Sequence, residues 1–439
     1  MTAQAAFILL AVSAAIFFAM RKTVDPLAIA FGATLVYFTP GFSGEARFSY
    51  GQDLGEFSAP IVPLTYAAMA IVIAALVGSS AITDRVAWRG VWTASFMAKV
   101  PGVMLGFVAV ASAVSVAHTG TNFLCLDKNI TLANLDPWYS YAALSVPFLV
   151  ASAYALRQRL LALVGCIFLI ADMYAGFRTS VAITFLAVAM LSGERLFEGR
   201  KSAAVFILIA ALAGSAMFVA KPLIVPAKYA TRSYCEAEKN GSTFDTRLNT
   251  RDYLAGTAIN LTRLKFYFAA FVAQSEQSVV QATLNEVVRR DFRTGAQYLI
   301  GQILPGVPLG ESLFGIDSRS ISTFNTRFQP ALFPSVSFGM ANNPWAQAYA
   351  AGGLFMVAAF ALIYSLVLGV LTILFRKTEG SMKAGVAVLA VWIGFYFHRN
   401  DLYIEIVYLK HVVYIFALAA LVALVLKQFS VFQRHSEAA

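Results

Sequence analysis

Ala5-Ala6-Phe7-Ile8-Leu9-Leu10-Ala11-Val12-Ser13-Ala14-Ala15-Ile16-Phe17-Phe18-Ala19-Met20 is closed by Arg21-Lys22. The apolar residues follow no period of two, and the only charges stand at the end. An unbroken run of this kind is long enough to cross most of the ~30 Å hydrocarbon core as a helix. A cleaved leader places its charge ahead of the apolar run, so the stretch reads as a retained first helix. The same pattern, an apolar run and then a short polar loop, recurs along the chain. Composition agrees: 59% of the 439 residues are hydrophobic, 13% are charged and mean hydropathy is +0.70. Soluble domains carry about 25% charged residues. Strict alternation is absent, which argues against a membrane β-barrel. With barrels set aside, helices are what satisfies the backbone in lipid. The fold class is therefore all-α, a polytopic helical membrane protein.

Eleven spans are expected, at 4–20, 26–40, 61–79, 98–117, 140–156, 160–177, 180–193, 203–220, 345–375, 384–397 and 407–427. One set of connecting loops holds Arg21, Lys22, Arg85, Arg89, Arg157, Arg159, Arg195, Arg200, Lys201, Arg376, Lys377, Lys383, Lys427 and Arg434; the other short loops hold only Arg47, Lys128, Arg178 and Arg399. Fourteen against four assigns the first set to the cytoplasm. The N-terminus then lies outside and the C-terminus inside. The chain divides into an N-terminal bundle (1–220, about eight helices), a large outside loop (221–342) and C-terminal helices (343–439, about three). The loop from Lys221 to Asn342 has no clear span and an excess of Arg and Lys. Within it, 253–273 and 279–303 read as amphipathic helices suited to a membrane surface. Leu304-Pro305-Gly306-Val307-Pro308-Leu309-Gly310 reads as a rigid turn, and 314–340 as irregular.

The net charge of +10 follows the positive-inside bias and the loop, so nucleic acid is not an expected partner. Of the three cysteines, Cys166 falls in a span and reads as packing. Cys125 and Cys235 share the outside, where a disulfide between them is one option. No Walker motif, glycine-rich nucleotide loop, His/Cys metal set, His-Glu-x-x-His or Gly-x-Ser-x-Gly appears, so no cofactor or metal is expected.

Several residues carry chemistry. Arg178, in Tyr174-Ala175-Gly176-Phe177-Arg178-Thr179-Ser180, sits at an outer helix junction; its planar fork suits phosphate oxygens, and anchoring at the interface is the plainer role. Asp172 lies about 9 Å deeper in the preceding span at ~1.5 Å per residue. An ionisable group there is either functional or a structural partner of Lys99 or backbone. The loop arginines Arg232, Arg247, Arg251, Arg263, Arg289, Arg290, Arg293, Arg319 and Arg327 suit a polyanion such as a pyrophosphate head group, or simply solubility. Asn343-Pro344-Trp345 has the signature of a helix start, whose free N–H groups either hold an anion or are merely capped. Gly352 and Gly353 suggest close helix packing. His398-Arg399-Asn400-Asp401 forms a polar knot, either a plain polar turn at the interface or a site in which His398 is a candidate general base. Glu405 and Lys410 are spaced to pair.

With these residues in view, the chain resembles the O-antigen polymerase (Wzy-type) and O-antigen ligase group. The resemblance rests on Gly176-Phe177-Arg178-Thr179-Ser180 leading into an apolar helix, on the layout of spans around one large loop, and on Asn343 through Gly353 with Tyr349. The ligases have a histidine where the loop re-enters the membrane. Here that place reads Asn342-Asn343-Pro344, which favours the polymerases, and Arg290 to Gly301 matches an arginine-to-glycine spacing found in some of them. The resemblance implies a metal-independent glycosyltransferase of a bacterial inner membrane, with the large loop in the periplasm. Its substrates would be undecaprenyl-pyrophosphate-linked oligosaccharides, polymerised into O-antigen, capsule or exopolysaccharide. Membrane lipid, a chain-length regulator and a flippase are the implied partners. Arg178, Arg290, Arg319 and Arg399 would stabilise the leaving pyrophosphate, and His398 or Asp317 would act as base. Asn343, Arg293, Arg327 and Asp172 would bind substrate, and Tyr298, Phe314 and Phe328 are candidates for sugar stacking. The alternatives are a ligase, a transporter or flippase of a lipid-linked sugar, and a membrane scaffold. A transporter is disfavoured by the lack of an internal repeat.

Overall fold

A computed structural model describes residues 2–21, 23–49, 56–86, 91–119, 137–175, 179–196, 276–307, 312–313, 315, 322–336 and 339–437. The expected span at 203–220 and the expected helix at 253–273 lie outside them, as do Cys125 and Cys235.

The helices follow the apolar runs. They are α1 (Ala3–Met20), α2 (Pro26–Tyr37), a short α3 (Thr39–Ser43), α4 (Pro63–Arg85), α5 (Val100–Thr119), α6 (Pro137–Ala155), α7 (Arg159–Ala175) and α8 (Thr179–Leu196). After the gap come α9 (Glu276–Arg289), α10 (Ala296–Ile303), α11 (Phe324–Leu332), α12 (Pro344–Lys377), α13 (Gly380–Gly394) and α14 (Leu402–Glu437). Among the described residues, six stretches are long and apolar enough to cross a membrane: Ala3–Met20, Pro63–Arg85, Ser95–His118, Pro344–Lys377, Gly380–His398 and Leu402–Phe429. Their outward faces are apolar. Leu9, Val12 and Ile16 are exposed on α1, Leu362, Leu366 and Val370 on α12, and Leu418, Leu421 and Val425 on α14. Water-soluble monomers rarely expose apolar stripes of that extent. Such faces belong in lipid, and the chain is a multi-pass membrane protein. Cys166 is exposed on α7 beside Leu163 and Ile167, so it faces outward rather than packing inside.

Loops assigned by charge to one side do share one end of the bundle. Arg21 and Arg376 both bind Asp25 and Asp84. Trp92 N–H donates to the Lys377 carbonyl, and Lys99 Nζ donates to the Leu426 carbonyl at 2.9 Å. Gly193 lies against Val24.

The opposite end carries a crown. An antiparallel hairpin, β1 (Glu45–Ser49) and β2 (Glu56–Pro60), turns Ala46 and Phe48 inward. Phe48 stacks on Phe57 at 5.1 Å, and both rings meet Phe333 after α11. From sequence alone a loop is expected here, because the alternation lasts only five residues per strand.

Helix α9 overturns a second expectation. Instead of lying on the membrane surface within one helix over 279–303, it is buried from Val280 to Val288. Its apolar face joins the core of α4 and α12. Its polar face meets polar partners: Asn285 accepts from Val62 N and Thr65 Oγ1 and donates to the Pro60 carbonyl, all at 3.1 Å. The helix stops because Asp291 adopts a left-handed conformation (φ 47°). Asp291 N then bonds the Val288 carbonyl and Phe292 N the Val287 carbonyl, the paired bonds that close a helix C-terminus. A further correction concerns 314–340, which is not irregular throughout: α11 occupies Phe324–Leu332 and buries Phe324, Phe328 and Leu332.

Candidate functional site

Charged residues on the crown gather at two junctions. The first joins the end of α9 to α12. Glu286 is fully buried, yet it holds two arginines. Arg289 donates to it through Nε and Nη2, both at 2.7 Å, and Arg290 through Nε at 3.0 Å. Hydrogen bonding to Glu286 raises the Arg289 pKa further above its ordinary value. The two arginine side chains remain 41% and 47% exposed. Arg289 Nη1 and both Nη atoms of Arg290 have no partner among the described residues.

Arg293 follows on the same segment. Its Nη1 donates to the Tyr349 carbonyl at 2.8 Å, its Nη2 pairs with Asp291 at 2.6 Å, and the group lies 4.8 Å from the Tyr349 ring centre. This contact exists because α12 is broken. Gly353 has φ 65° and Gly352 is also non-helical, so the carbonyls of Tyr349 and Ala350 lose their partners one turn on. Arg293 takes the first, and the N–H groups of Thr294 and Gly295 take the second. The glycine pair, expected to pack helices closely, instead divides one; a Cβ on Gly353 would press on the Arg293 guanidinium. Non-helical backbone at membrane depth is tolerated where protein covers it, and the 293–295 segment covers it here.

Asn343 caps the leading half of α12. Its Oδ1 accepts from Ala346 N at 2.7 Å and its Nδ2 donates to the Val280 carbonyl at 3.3 Å. The side chain is buried and both its ends are spent on the protein, so it ties α12 to α9 rather than offering an anion site. Arg327 lies over the Tyr298 ring at 4.3 Å and donates to Ser322 Oγ. Tyr298 is part-buried, and its hydroxyl donates to the Ser322 carbonyl. Phe328 is a core side chain, not a sugar platform.

The second junction is the knot at 398–401. Trp345 Nε1 donates to His398 Nδ1 at 3.1 Å, since indole is only a donor. The proton of neutral His398 is therefore on Nε2, which faces Thr34 Oγ1 at 3.2 Å and Tyr364 OH at 3.3 Å. The ring is completely buried and both nitrogens are engaged. The expected general base is thus placed as a pin between α2, α12 and α13. Arg399 Nε stands 2.6 Å from Glu276 Oε1, off the line of its N–H, and its guanidinium lies over Tyr396. Asp401 begins α14, accepting from Tyr403 N and from Phe324 N. Burial pushes its pKa up, with those N–H donors pulling the other way. Glu405 accepts from Asn400 at 2.6 Å, and Lys410 reaches the Pro305 carbonyl at 2.8 Å, so the expected Glu405–Lys410 spacing serves other partners.

Asp172 belongs to neither junction. It is buried between α6 and α7, where Tyr139 OH donates to its Oδ1 at 2.7 Å. Of the roles left open by the sequence, a structural partnership is what the described residues show, with Tyr139 in place of Lys99 or backbone. Arg178, Arg319, Asp317 and Phe314 lie outside the described residues. Among the candidates, the structure places Arg289, Arg290 and Arg293 on one segment, with Glu286, which is not among the sequence-based candidates, beneath the first two. The spacing Glu286, Arg289, Arg290 is the helical i, i+3, i+4 signature, and it was available in the sequence.

The fold and these junctions define an all-α multi-pass membrane protein with an arginine-bearing crown at one end. No family model matches the chain, and no curated protein or solved structure matches it.

Proposed function

We propose that this chain is a metal-independent glycosyltransferase that polymerises undecaprenyl-pyrophosphate-linked oligosaccharide repeat units. In this reading there are eleven spans, the membrane is a bacterial inner membrane, and the crown lies on its periplasmic face. One observation carries the reading beyond the resemblance. Arg289, Arg290 and Arg293 stand half-exposed on one five-residue segment, at the end opposite the basic loops. Arginine forks are suited to phosphate oxygens. Glu286 and Asp291 offset two of the three charges, so the segment offers directed donors more than bulk charge.

The reaction follows from the substrate. A sugar hydroxyl of one lipid-linked oligosaccharide attacks the anomeric carbon of another. The bond from that carbon to the pyrophosphate oxygen breaks, and the lipid pyrophosphate leaves with the electron pair. Donors aimed at the oxygens where charge grows lower the barrier. Arg290, with Arg178 and Arg319, takes that role. The hydroxyl proton goes to a carboxylate, for which Asp317 is the nominee.

The test is a surface-glycan ladder from a deletion strain complemented with wild type or with Arg290→Ala. In Arg290→Ala the two bonds from Arg289 still hold Glu286, so the expected cost to folding is one charge-assisted hydrogen bond, about 1.5–3 kcal/mol. The expected result is a single-repeat glycan in place of the ladder, at normal protein level. A normal ladder from Arg290→Ala removes this arginine from the mechanism. A deletion strain that keeps its ladder refutes the polymerase assignment. Accumulated lipid-linked repeats with no surface glycan would point to ligation or flipping.

A further inference from the structure

Glu286 is costly where it stands. A buried carboxylate loses several kcal/mol of hydration, and a well-packed apolar side chain at such a site is often as stable or more so. Exposed helical ion pairs repay only about 0.3–0.5 kcal/mol. Stability alone is thus a poor reason for a fully buried carboxylate beneath two half-exposed arginines. Its geometry offers another. It takes Arg289 by Nε and Nη2 and Arg290 by Nε. Each guanidinium is gripped on one edge and presents its remaining donors outward. Helix α9 is rigidly seated by Asn285 and by its apolar face, so the two forks are fixed relative to the bundle.

We infer that Glu286 is a positioning residue that sets Arg289 and Arg290 as one two-fork receptor for a phosphate-type oxyanion. This inference rests on the proposed reading of the segment as the pyrophosphate site. It makes Arg289 a second ligand-contacting arginine and gives Glu286 no contact with substrate.

The sign of one substitution separates positioning from charge balance. Glu286→Gln raises the local charge by one while loosening the grip on both forks. If Glu286 only offsets charge, the variant binds an anion more tightly. If it positions, binding weakens. The experiment titrates the full-length protein in detergent micelles with inorganic pyrophosphate by calorimetry, for wild type, Glu286→Gln, Arg289→Lys, Arg290→Lys, Arg289→Ala and Arg290→Ala. The lysine variants keep the charge and lose the planar fork. Expected are weaker binding by about tenfold for Glu286→Gln and for each lysine variant, in line with the loss of bidentate contacts. Binding by Glu286→Gln equal to or tighter than wild type overturns the inference. If Glu286→Gln does not fold, the exposed lysine variants decide: affinity within about twofold of wild type overturns it, and a tenfold loss upholds it. Failure of the underlying reading looks different. Wild type then binds no pyrophosphate, or both alanine variants bind as wild type does.

Discussion

Each end of the bundle has a cluster of arginines and carboxylates, and the two clusters differ in kind. At the basic end, Arg21 and Arg376 meet Asp25 and Asp84 in a closed set, each acid touching both bases. The set ties the end of α1, the start of α2, and the ends of α4 and α12 together. Asp25 also caps α2 through Ala28 N. At the crown, Arg289 and Arg290 share one buried acid and keep donors without a partner among the described residues. Residue types are similar, so they do not distinguish structure from function here. Stoichiometry and exposure do: two acids for two bases make a clamp, and one acid under two bases makes a presented pair.

The comparison predicts its own breaking points. The largest effect belongs to Asp25→Ala. Asp25 is 3% exposed and its loss leaves Arg21, itself 9% exposed, short of a partner. Breaking one member of a buried set costs about 3–5 kcal/mol. A thermal unfolding series in detergent should show it as a large fall in midpoint; a shift no bigger than that of Arg290→Ala would mean the clamp is ornamental. Next comes the uncharged pin of the crown. Trp345→Phe removes the donor to His398 Nδ1 and strands a buried acceptor, at about 1–3 kcal/mol. Hydrogen exchange should speed up at the 395–401 turn and leave the Arg21 clamp unaffected. Exchange that rises equally at both ends would contradict a local pin. The smallest effect is for Asn343→Ala, a lost cap worth ~1 kcal/mol. It should loosen α9 against α12 and lower the midpoint slightly; an unchanged midpoint would show that Pro344 alone sets the helix start.

Much of the fold could be read directly. Apolar runs place the long helices, and the charge count groups the loops that the structure brings to one end. Asn343-Pro344 is a helix start in sequence and in fact. The site was less legible, for physical reasons. The polar face of α9 has the same pattern whether it meets water or the buried ends of other elements, so burial was invisible. Gly352-Gly353 is compatible with close packing or with a break, and only the waiting donors of Arg293, Thr294 and Gly295 make the break affordable. His398 has the chemistry of a base, but Trp345, 53 positions away, decides its tautomer. Nine loop arginines look alike in sequence. What singles out Arg289 and Arg290 is the acid three and four residues before them.

The division of α12 redraws the map of the molecule. Residues 344–351 lie in a sequence run that belongs to the membrane. Yet Asn343 fastens their start to α9, and Arg293, Thr294 and Gly295 fasten their end to the segment beyond it. As a mechanical part they go with the crown. A chimera that swaps crowns between two such proteins should therefore be joined at Gly353 and not at residue 342, because the earlier seam would leave the graft without its floor.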